Sequence, residues 1–220
     1  MIPSLTSSRR AWSLARLESI EFFSGLGDSA HLLYGLARAM KPRVAVEIGS
    51  ARGRSACFVG MALKENGLGR LYAIDPHTQT AWNDLESVDT FLTMRRHVAD
   101  FGLDGIIEMV RSTSADAAAT WNEKIDLLFI DGDHSYEGVK ADWERFSPFV
   151  SEFGVVVFHD TIWDRRPDPR YAREDMGVPL FVEELRIAGY PVVTVDHDFG
   201  VSIVQPKIGG VTLAKVEATV

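Results

Sequence analysis

The 220-residue chain contains one cysteine, Cys57, so an intrachain disulfide and a cysteine-rich zinc site are both excluded. Basic residues are in deficit, and the formal net charge of −8 argues against binding to nucleic acid or to an anionic membrane, whose phosphates favour a basic face. No segment approaches the roughly 20 consecutive apolar residues that span a bilayer. No apolar run of signal-peptide length follows Arg9 and Arg10. We therefore expect a cytoplasmic protein without nucleic-acid or membrane partners.

The residues that are present predict a single α/β domain over 1–220. Hydrophobic residues make up 46% of the chain, enough for one substantial core. Short runs rich in Val and Ile alternate with helical patterns, which is typical of a parallel sheet covered on both faces. Near the end, two strand patterns flank the tight connection 196–200 and predict a hairpin with one antiparallel edge strand. Seven strands are predicted, at 43–48, 70–74, 106–110, 125–130, 155–158, 191–195 and 201–204. Helical patterns precede them within 1–40 and separate them at 53–65, 84–100, 115–121, 136–149 and 178–188.

Acidic and imidazole side chains follow two of the predicted strands. Asp131 and His134 come directly after the strand at 125–130, and His159 and Asp160 end the next strand. The carboxyl ends of parallel strands line the ligand crevice of an open sheet. The four side chains are therefore predicted to share one pocket that could hold a divalent metal and remove a proton beside it.

A glycine turn joins the first predicted strand to its helix. Gly49 permits a tight turn and Gly53 a close approach of the backbone to a ligand. The spacing lacks the middle glycine of the dinucleotide fingerprint, which makes NAD a poorer candidate. Glu47, at the strand end, suits a cationic ligand. Asp75, at the end of the next strand, is placed to accept hydrogen bonds from ribose hydroxyls.

These motifs resemble a known family. The stretch from Glu47 to Ser55 is similar to the first motif of class I S-adenosylmethionine-dependent methyltransferases, and within them to the metal-dependent O-methyltransferases of the catechol and caffeoyl-CoA types. The stretches 129–137 and 158–161 resemble most closely the bacterial enzymes that methylate sugar hydroxyls, including those of macrolide deoxysugars. The resemblance covers roughly residues 40–205 and implies a Rossmann-like class I methyltransferase fold.

The resemblance also implies roles for individual residues. His134 matches the position of a general base, and Asp131 and Asp160 match the ligands of a divalent cation, normally Mg²⁺. His159 stands where the family carries an oxygen ligand, so it either binds a softer ion such as Mn²⁺ or another transition metal, or points elsewhere. Ala115 and Asp116 would lie with Ser114 near the adenine. The residues expected to bind S-adenosylmethionine are Glu47, Gly49, Ser50, Gly53, Ser55, Asp75, Ser114, Asp131 and Asp133.

Some assignments have a simpler alternative. Asp133 could instead cap the helix that starts near Tyr136. Tyr136 and Trp163 could stack on a sugar or pack in the core. The polar segment 161–177 is either a lid or acceptor loop or a surface excursion. Asp142, on the helix after the pocket, receives no predicted role.

The leading functional hypothesis is methyl transfer to a carbohydrate hydroxyl of a small-molecule or oligosaccharide acceptor. A catechol-like phenol is the second possible acceptor on the same fold. Two hypotheses from different functional classes are an iron oxygenase that uses His134, His159 and one aspartate, and a cofactor-binding protein without catalysis. The apolar residues Trp12, Phe22 and Phe23 of the N-terminal segment predict a homo-oligomer.

Overall fold

The computed structural model describes residues 14–22, 24–78, 90–165, 173–208 and 211–212. The helices are α1 (Ser29–Met40), α2 (Arg54–Asn66), α3 (Thr90–Asp100), α4 (Ser114–Thr120), α5 (Tyr136–Phe146) and α6 (Val178–Ile187). Residues 14–18 are also helical, and 3₁₀ turns cover Ser147–Phe149 and Trp163–Arg165. The strands are β1 (Val44–Ile48), β2 (Arg70–Ile74), β3 (Ile107–Val110), β4 (Ile125–Ile130), β5 (Val150–His159), β6 (Val192–Val195), β7 (Val201–Val204), β8 (Lys207–Ile208) and β9 (Val211–Thr212).

Seven of these strands form one mixed sheet in the order β3-β2-β1-β4-β5-β7-β6. Parallel pairs join β1 to β2 and to β4, β2 to β3, and β4 to β5. Strand β7 runs antiparallel to both β5 and β6. The predicted Rossmann-like fold, a mainly parallel seven-stranded sheet with a C-terminal antiparallel hairpin, is confirmed.

The sheet is buried between two helical layers because alternate side chains of each strand point to opposite faces. In β1, Ala45 packs in the cluster formed with α1, α2 and α3, whereas Val46 and Ile48 pack in the cluster formed with α5 and α6. Glu47 has the same parity as Ala45 and so lies on the α2 side of the sheet. With both faces covered, the carboxyl ends of the strands are the open edge at which a ligand can reach the sheet.

Several boundaries differ from the predicted ones. Strand β5 begins at Val150 rather than 155, because its pairing with β4 continues through an irregular register between Ile125 and Leu127. The small hairpin of β8 and β9 was not predicted. The helix predicted over 84–100 is described from Thr90 onward as α3, and residues 84–89 lie outside the described residues.

The N-terminal segment packs on the domain. Phe22 is 1% exposed and belongs to the core of its own chain, so it is not available as an interface residue. Trp12 and Phe23 lie outside the described residues. Within the part of the chain that the structure describes, no helix combines the length and apolar character needed to cross a bilayer.

Candidate functional site

One cavity opens where β1 to β5 end. Its lining includes a residue from the connection after each of these strands, as expected for parallel strands that finish at one edge. It brings together eleven of the predicted site residues: Gly49, Ser50, Ser55, Asp75, Ser114, Asp131, Asp133, His134, His159, Asp160 and Trp163. Glu47, Gly53 and Tyr136 are predicted site residues that do not line it.

Gly49 brings the ends of β1 and β4 together. Its φ is +89°, and a Cβ there would lie 2.1 Å from the backbone oxygen of Asp131. The Gly49 N–H donates to the oxygen of Ile74 at 2.9 Å, and the Asp131 N–H donates to the oxygen of Ile48 at 2.9 Å. Only glycine combines this backbone conformation with so close a contact, and the turn is thereby fixed against the start of the acidic segment.

Position 53 requires glycine for a reason other than the predicted one. Its φ of +84° precedes α2, and a Cβ there would lie 2.8 Å from the Cγ of Met94 in α3. The close approach that requires glycine at this position is therefore to a helix of the same chain, and the predicted contact of Gly53 with the cofactor stays a prediction.

Asp75 holds the turn after β1 in place. One carboxylate oxygen accepts the Ala51 N–H at 2.8 Å and the other accepts the His77 N–H at 2.6 Å. Ala51 has a positive φ of 42°, which the carboxylate helps to stabilise. Each oxygen retains a second lone pair, so Asp75 can also accept hydrogen bonds from a ligand hydroxyl at the cavity wall.

Glu47 lies behind the turn and is 2% exposed. Its Oε1 accepts a hydrogen bond from the hydroxyl of Ser55, while its Oε2 and the buried Oγ of Ser50 have no hydrogen-bond partner in the described structure. Burial raises the pKa of Glu47 to about 8, against the opposing effect of the Ser55 hydrogen bond. Leaving a buried polar atom without a hydrogen-bond partner is costly. These atoms of Glu47 and Ser50 could be satisfied by a polar, positively charged ligand bound beside the turn after β1.

Two carboxylates and two imidazoles meet at the ends of β4 and β5. His134 Nδ1 lies 3.1 Å from Asp160 Oδ2, and its Nε2 lies 3.5 Å from Asp131 Oδ1. His159 Nδ1 lies 3.3 Å from Asp131 Oδ1 and 3.1 Å from Asp160 Oδ1. We call Asp131, His134, His159 and Asp160 the acid–imidazole cluster. Ligand atoms of Asp131, His134 and Asp160 all lie within 4.8 Å of one another, a spacing compatible with one bound metal ion.

Charges within the cluster shift the pKa of Asp131, His134 and His159. Burial disfavours the ionised form of Asp131, but the imidazoles of His159 and His134 hold the pKa of Asp131 well below its usual range. Burial also works against protonation of His134, yet the hydrogen bond to Asp131 and the charge of Asp160 raise its pKa. The pKa of His159 is raised well above its usual value by the same two carboxylates, again against burial. An ionised carboxylate such as that of Asp131 is the kind of oxygen donor that a hard divalent cation requires.

The cluster is anchored from the loops that follow it. Asp160 has a positive φ of 59°, and the adjacent Thr161 and Ile162 N–H groups donate to the oxygens of Gly200 and Phe199 at 3.3 and 2.9 Å. On the other side, the Gly177 N–H donates to the oxygen of His134 at 2.8 Å. Both ends of the predicted acceptor loop 161–177 are therefore attached beside the cluster, while residues 166–172 lie outside the described residues.

Asp133 lines the cavity and does not cap α5, and the ring of Tyr136 packs against α6. Ser135, not Asp133, is the N-cap of α5, and its hydroxyl accepts the Gly138 N–H at 3.0 Å. Asp133 instead accepts the Ser135 N–H at 2.9 Å. The Tyr136 hydroxyl donates to Glu184, and its ring packs edge-on against Phe181 of α6. The structure thus favours the packing alternative for Tyr136.

Asp116 also lies away from the cavity. Its N–H donates to the Thr113 hydroxyl oxygen at 3.1 Å, and its carboxylate accepts from that hydroxyl at 2.7 Å. This exposed pair caps α4, so Asp116 is not placed to meet an adenine as the resemblance had implied.

Sequence reasoning missed one face of α5. Gly138, Ala141, Asp142 and Arg145 all line the cavity. The Ser114 hydroxyl donates to Asp142 Oδ1 at 2.5 Å, which links this face to the connection after β3. Their spacing of three, four and seven residues marks one side of a helix. That spacing places Gly138 and Ala141 on the same side of the helix as Asp142, but it does not show what this side packs against.

A second missed feature is the aromatic wall formed by Trp163 and Phe199. The rings are stacked, with centroids 4.2 Å apart and planes inclined by 24°. Both line the cavity with the acid–imidazole cluster, and Phe199 belongs to the turn between β6 and β7.

Comparisons with known proteins agree with this arrangement. A family model described as a methyltransferase domain matches residues 46–161, a range that contains the Gly49 turn and the acid–imidazole cluster. A sequence relative of Sinorhizobium fredii, "Uncharacterized protein y4gI", is 29% identical over 128 residues, 57% of this chain and 14% of the relative. Another of Acanthamoeba polyphaga mimivirus, "Uncharacterized protein R132", is 27% identical over 138 residues, 59% of this chain and 58% of the relative. The chain thus spans less than two thirds of the length of either relative.

Solved structures share the fold. A methyltransferase of Podospora anserina bound to SAH superposes with a TM-score of 0.66 at 14% identity, covering 93% of this chain and 88% of that chain. The O-methyltransferase TomG of Streptomyces achromogenes, involved in tomaymycin synthesis and solved with SAM, has a TM-score of 0.62 at 17% identity, covering 94% of this chain and 91% of that chain. At such identities the likeness establishes the architecture alone.

Proposed function

The chain belongs to the methyltransferase domain family, and on that premise we propose that it is an S-adenosylmethionine-dependent O-methyltransferase. Its acceptor is a carbohydrate hydroxyl, a divalent cation assists, and His134 is the general base. The observation that carries the proposal is the double contact of Asp131. The backbone oxygen of this residue packs against the Gly49 turn, and its carboxylate belongs to the acid–imidazole cluster.

The residues around the turn after β1 are suited to binding a sulfonium methyl donor. The buried Glu47 and Ser50 have unsatisfied polar atoms behind the turn after β1, and Asp75 offers acceptors for ribose hydroxyls. Homologous folds bind SAH and SAM, as in the Podospora and Streptomyces structures. The methyl group would then be delivered near Asp131, which belongs to both halves of the cavity.

The acid–imidazole cluster fits a divalent ion. Asp131 and Asp160 would supply oxygen ligands, and His159 directs Nδ1 at both of them. Carboxylate oxygens suit Mg²⁺, the first choice, and the imidazole makes Mn²⁺ or another transition metal the alternative. A bound ion would stabilise an alkoxide-like oxygen on the acceptor, which a free sugar hydroxyl does not provide at neutral pH.

His134 would complete the chemistry as a base when the positive charge of a bound divalent cation offsets the carboxylate charges that raise its pKa in the metal-free protein. The acceptor hydroxyl gives its proton to an imidazole nitrogen while its oxygen forms a bond to the methyl carbon. The carbon–sulfur bond breaks, and its electron pair returns to sulfur, so the sulfonium leaves as a neutral thioether. Holding oxygen and methyl carbon in line is the remaining contribution of the site.

The aromatic wall would offer the acceptor a flat apolar surface. Trp163 offers an apolar ring beside the cluster, and rings of this kind stack on the C–H faces of sugars. The same flat surface suits a catechol-like phenol, which is the second candidate acceptor. An iron oxygenase could draw on His134, His159 and one aspartate, but it leaves the glycine turn and Glu47 without a role.

A methyl-transfer assay tests the proposal. The purified protein is given S-adenosylmethionine and a panel of deoxysugars, glycosides and catechols, with and without a chelator. We expect sugar methylation that falls at least about 100-fold with EDTA and returns with Mg²⁺ or Mn²⁺. If only catechols are methylated, the assignment of a carbohydrate acceptor is wrong and a phenol takes its place. If turnover is insensitive to the chelator, the reaction does not depend on a metal ion.

Two histidine variants test the base. His134→Ala should lower kcat by about 10² to 10³-fold. His31→Ala is the matched control, because His31 packs against Phe58 and meets Glu18 outside the cavity. Equal activity of the two variants would rule out His134 as the base.

A further inference from the structure

Asp142 is a buried carboxylate for which the proposed reaction has so far no use. It is 3% exposed and lies on the cavity face of α5. The Ser114 hydroxyl donates to its Oδ1 at 2.5 Å, and Arg145 Nη1 lies 3.3 Å from the same oxygen. Within the described residues both hydrogen bonds go to Oδ1, so Oδ2 keeps its capacity to accept.

Small residues keep the space beside this oxygen open. A Cβ on Gly132 would lie 3.5 Å from Asp142 Oδ2 and 3.2 Å from the Cγ2 of Ile48. A side chain at position 132 would therefore fill the gap between Ile48 and the carboxylate. Ala141 adds only a methyl group to the same wall. The result is a narrow space with an apolar side and one buried acceptor, the properties of a site for a flat heterocycle with an amino group.

The order of the strands says which part of the cofactor reaches this space. Glu47 in β1 and Ser50 just after it suit the charged methionine part, while Asp75 follows β2 and suits the ribose. The nucleobase then extends to the connection after β3, which contains Ser114, the donor to Asp142. Asp116, a carboxylate within that connection, is occupied in capping α4.

We propose that Asp142 accepts a hydrogen bond from the exocyclic amino group of adenine and thereby selects an adenosyl over an oxo-purine cofactor. The inference rests on the proposed use of S-adenosylmethionine, but not on the metal, the base or the acceptor. In a purine that carries a carbonyl oxygen in place of the amino group, that oxygen would face the Asp142 carboxylate. Both groups are hydrogen-bond acceptors, and the site is buried. Such a mismatch is costly, because neither group can then be satisfied. Ser114 and Arg145 act as positioning residues that hold the carboxylate.

Calorimetric binding without acceptor or metal tests the proposal. The ligands are S-adenosylhomocysteine and S-inosylhomocysteine, in which the amino group is replaced by a carbonyl oxygen. The wild type should bind the adenosyl ligand at least about 30-fold more tightly. Asp142→Asn, which presents an amide donor, should reduce that ratio to about threefold or less. Asp116→Asn is the matched control and should leave the ratio within about twofold of wild type.

Each outcome is decisive. An unchanged ratio in Asp142→Asn, or a wild type that does not discriminate, overturns the proposal. A wild type that binds neither ligand overturns it together with S-adenosylmethionine as the cofactor, whereas loss of the metal or sugar assignment leaves these affinities as they are. Should the variant fail to fold, a crystal structure of the wild type with S-adenosylhomocysteine decides instead. The adenine amino nitrogen must lie within about 3.2 Å of Asp142 Oδ2, and any other partner contradicts the assignment.

Discussion

The two sides of the cavity are built in different ways. The cofactor side consists of the ends of β1 to β4 and the first residues after them. Hydrogen bonds such as that from the Ala51 N–H to the Asp75 carboxylate hold these segments together. The acceptor side is assembled from distant parts of the chain: the end of β5, the turn before β7 and the segment that reaches Gly177. Under the proposed function we therefore expect cofactor recognition to depend on the sheet itself and acceptor recognition to depend on loops that can change without altering the sheet.

Substitutions of Asp131 and Asp160 should give the largest difference between the cofactor side and the acceptor side of the cavity. Each Asn variant removes a charge from the acid–imidazole cluster, and we expect kcat to fall by at least about 10³-fold in both. Of the two carboxylates, only that of Asp131 contributes to the raised pKa of Glu47 on the cofactor side, so Asp131→Asn changes the charge there and should weaken binding of S-adenosylhomocysteine, which carries an ammonium group. Asp160→Asn should leave that affinity within about threefold of wild type.

Steady-state kinetics and calorimetry check this pair. Asp164→Asn, which alters an exposed carboxylate of the Trp163–Arg165 turn, is the control and should behave as wild type. If Asp160→Asn loses cofactor affinity as much as Asp131→Asn does, the two sides of the cavity are not independent.

Two glycine variants test how rigidly the cofactor side is built. Gly49→Ala places a Cβ against the Asp131 backbone oxygen in a left-handed conformation and should destabilise the fold by about 3 to 5 kcal/mol. Gly67→Ala has a comparable φ of +70° but nothing within 4 Å of the new Cβ, and should cost about 1 to 2 kcal/mol. Urea unfolding measures both. Equal losses would mean that backbone strain alone, and not the contact between β1 and β4, makes glycine necessary at 49.

Glu47→Gln tests the charge behind the turn. Folding raises the pKa of this carboxyl from 4.5 to about 8, chiefly by burial. The folded state therefore keeps a proton that the unfolded chain releases, and the cofactor-free protein should lose stability as the pH rises through that window. The variant lacks this loss, so its stability relative to wild type should rise by on the order of 3 kcal/mol between about pH 5 and pH 8.5.

Unfolding in urea at several pH values measures the effect. Ser55→Ala removes the hydrogen bond that favours the ionised form of Glu47, and should extend the pH-dependent loss of stability to higher pH. A wild type and a Glu47→Gln variant with parallel pH profiles would contradict a buried, protonated Glu47.

The same contrast explains what could be predicted from sequence. The acid–imidazole cluster follows from residues directly after two apolar strands, since a parallel sheet must bring those strand ends together. The seven strands were recognised for the same local reason. The neighbours of Gly53 and Tyr136, which are Met94 and Phe181, could not be identified from the sequence, because they are remote along the chain and come near only through helix packing.

Asp142 and Phe199 are cavity residues that could not be predicted from the sequence. A carboxylate in the middle of a helix is usually solvated, and only the placement of α5 against Ser114 buries this one. Phe199 lies in a hairpin turn, a position that normally carries polar residues, and it gains its neighbour Trp163 through the bond from Ile162 N–H to its own oxygen. Neither contact has a short-range signature.

Trp163→Ala and Phe199→Ala test the acceptor side and should have the smallest effects. Removing the indole takes away the stacking surface, and we expect KM for the acceptor to rise about tenfold. Phe199→Ala removes only the ring that supports the indole and should raise KM about threefold. Affinity for S-adenosylhomocysteine should stay within about twofold in both variants, because neither ring belongs to the cofactor side. Phe153→Ala, which truncates a β5 ring that is 75% exposed, is the matched control and should leave KM unchanged. An acceptor KM that does not move, or a cofactor affinity that falls with it, would mean that loops and sheet do not divide recognition between them.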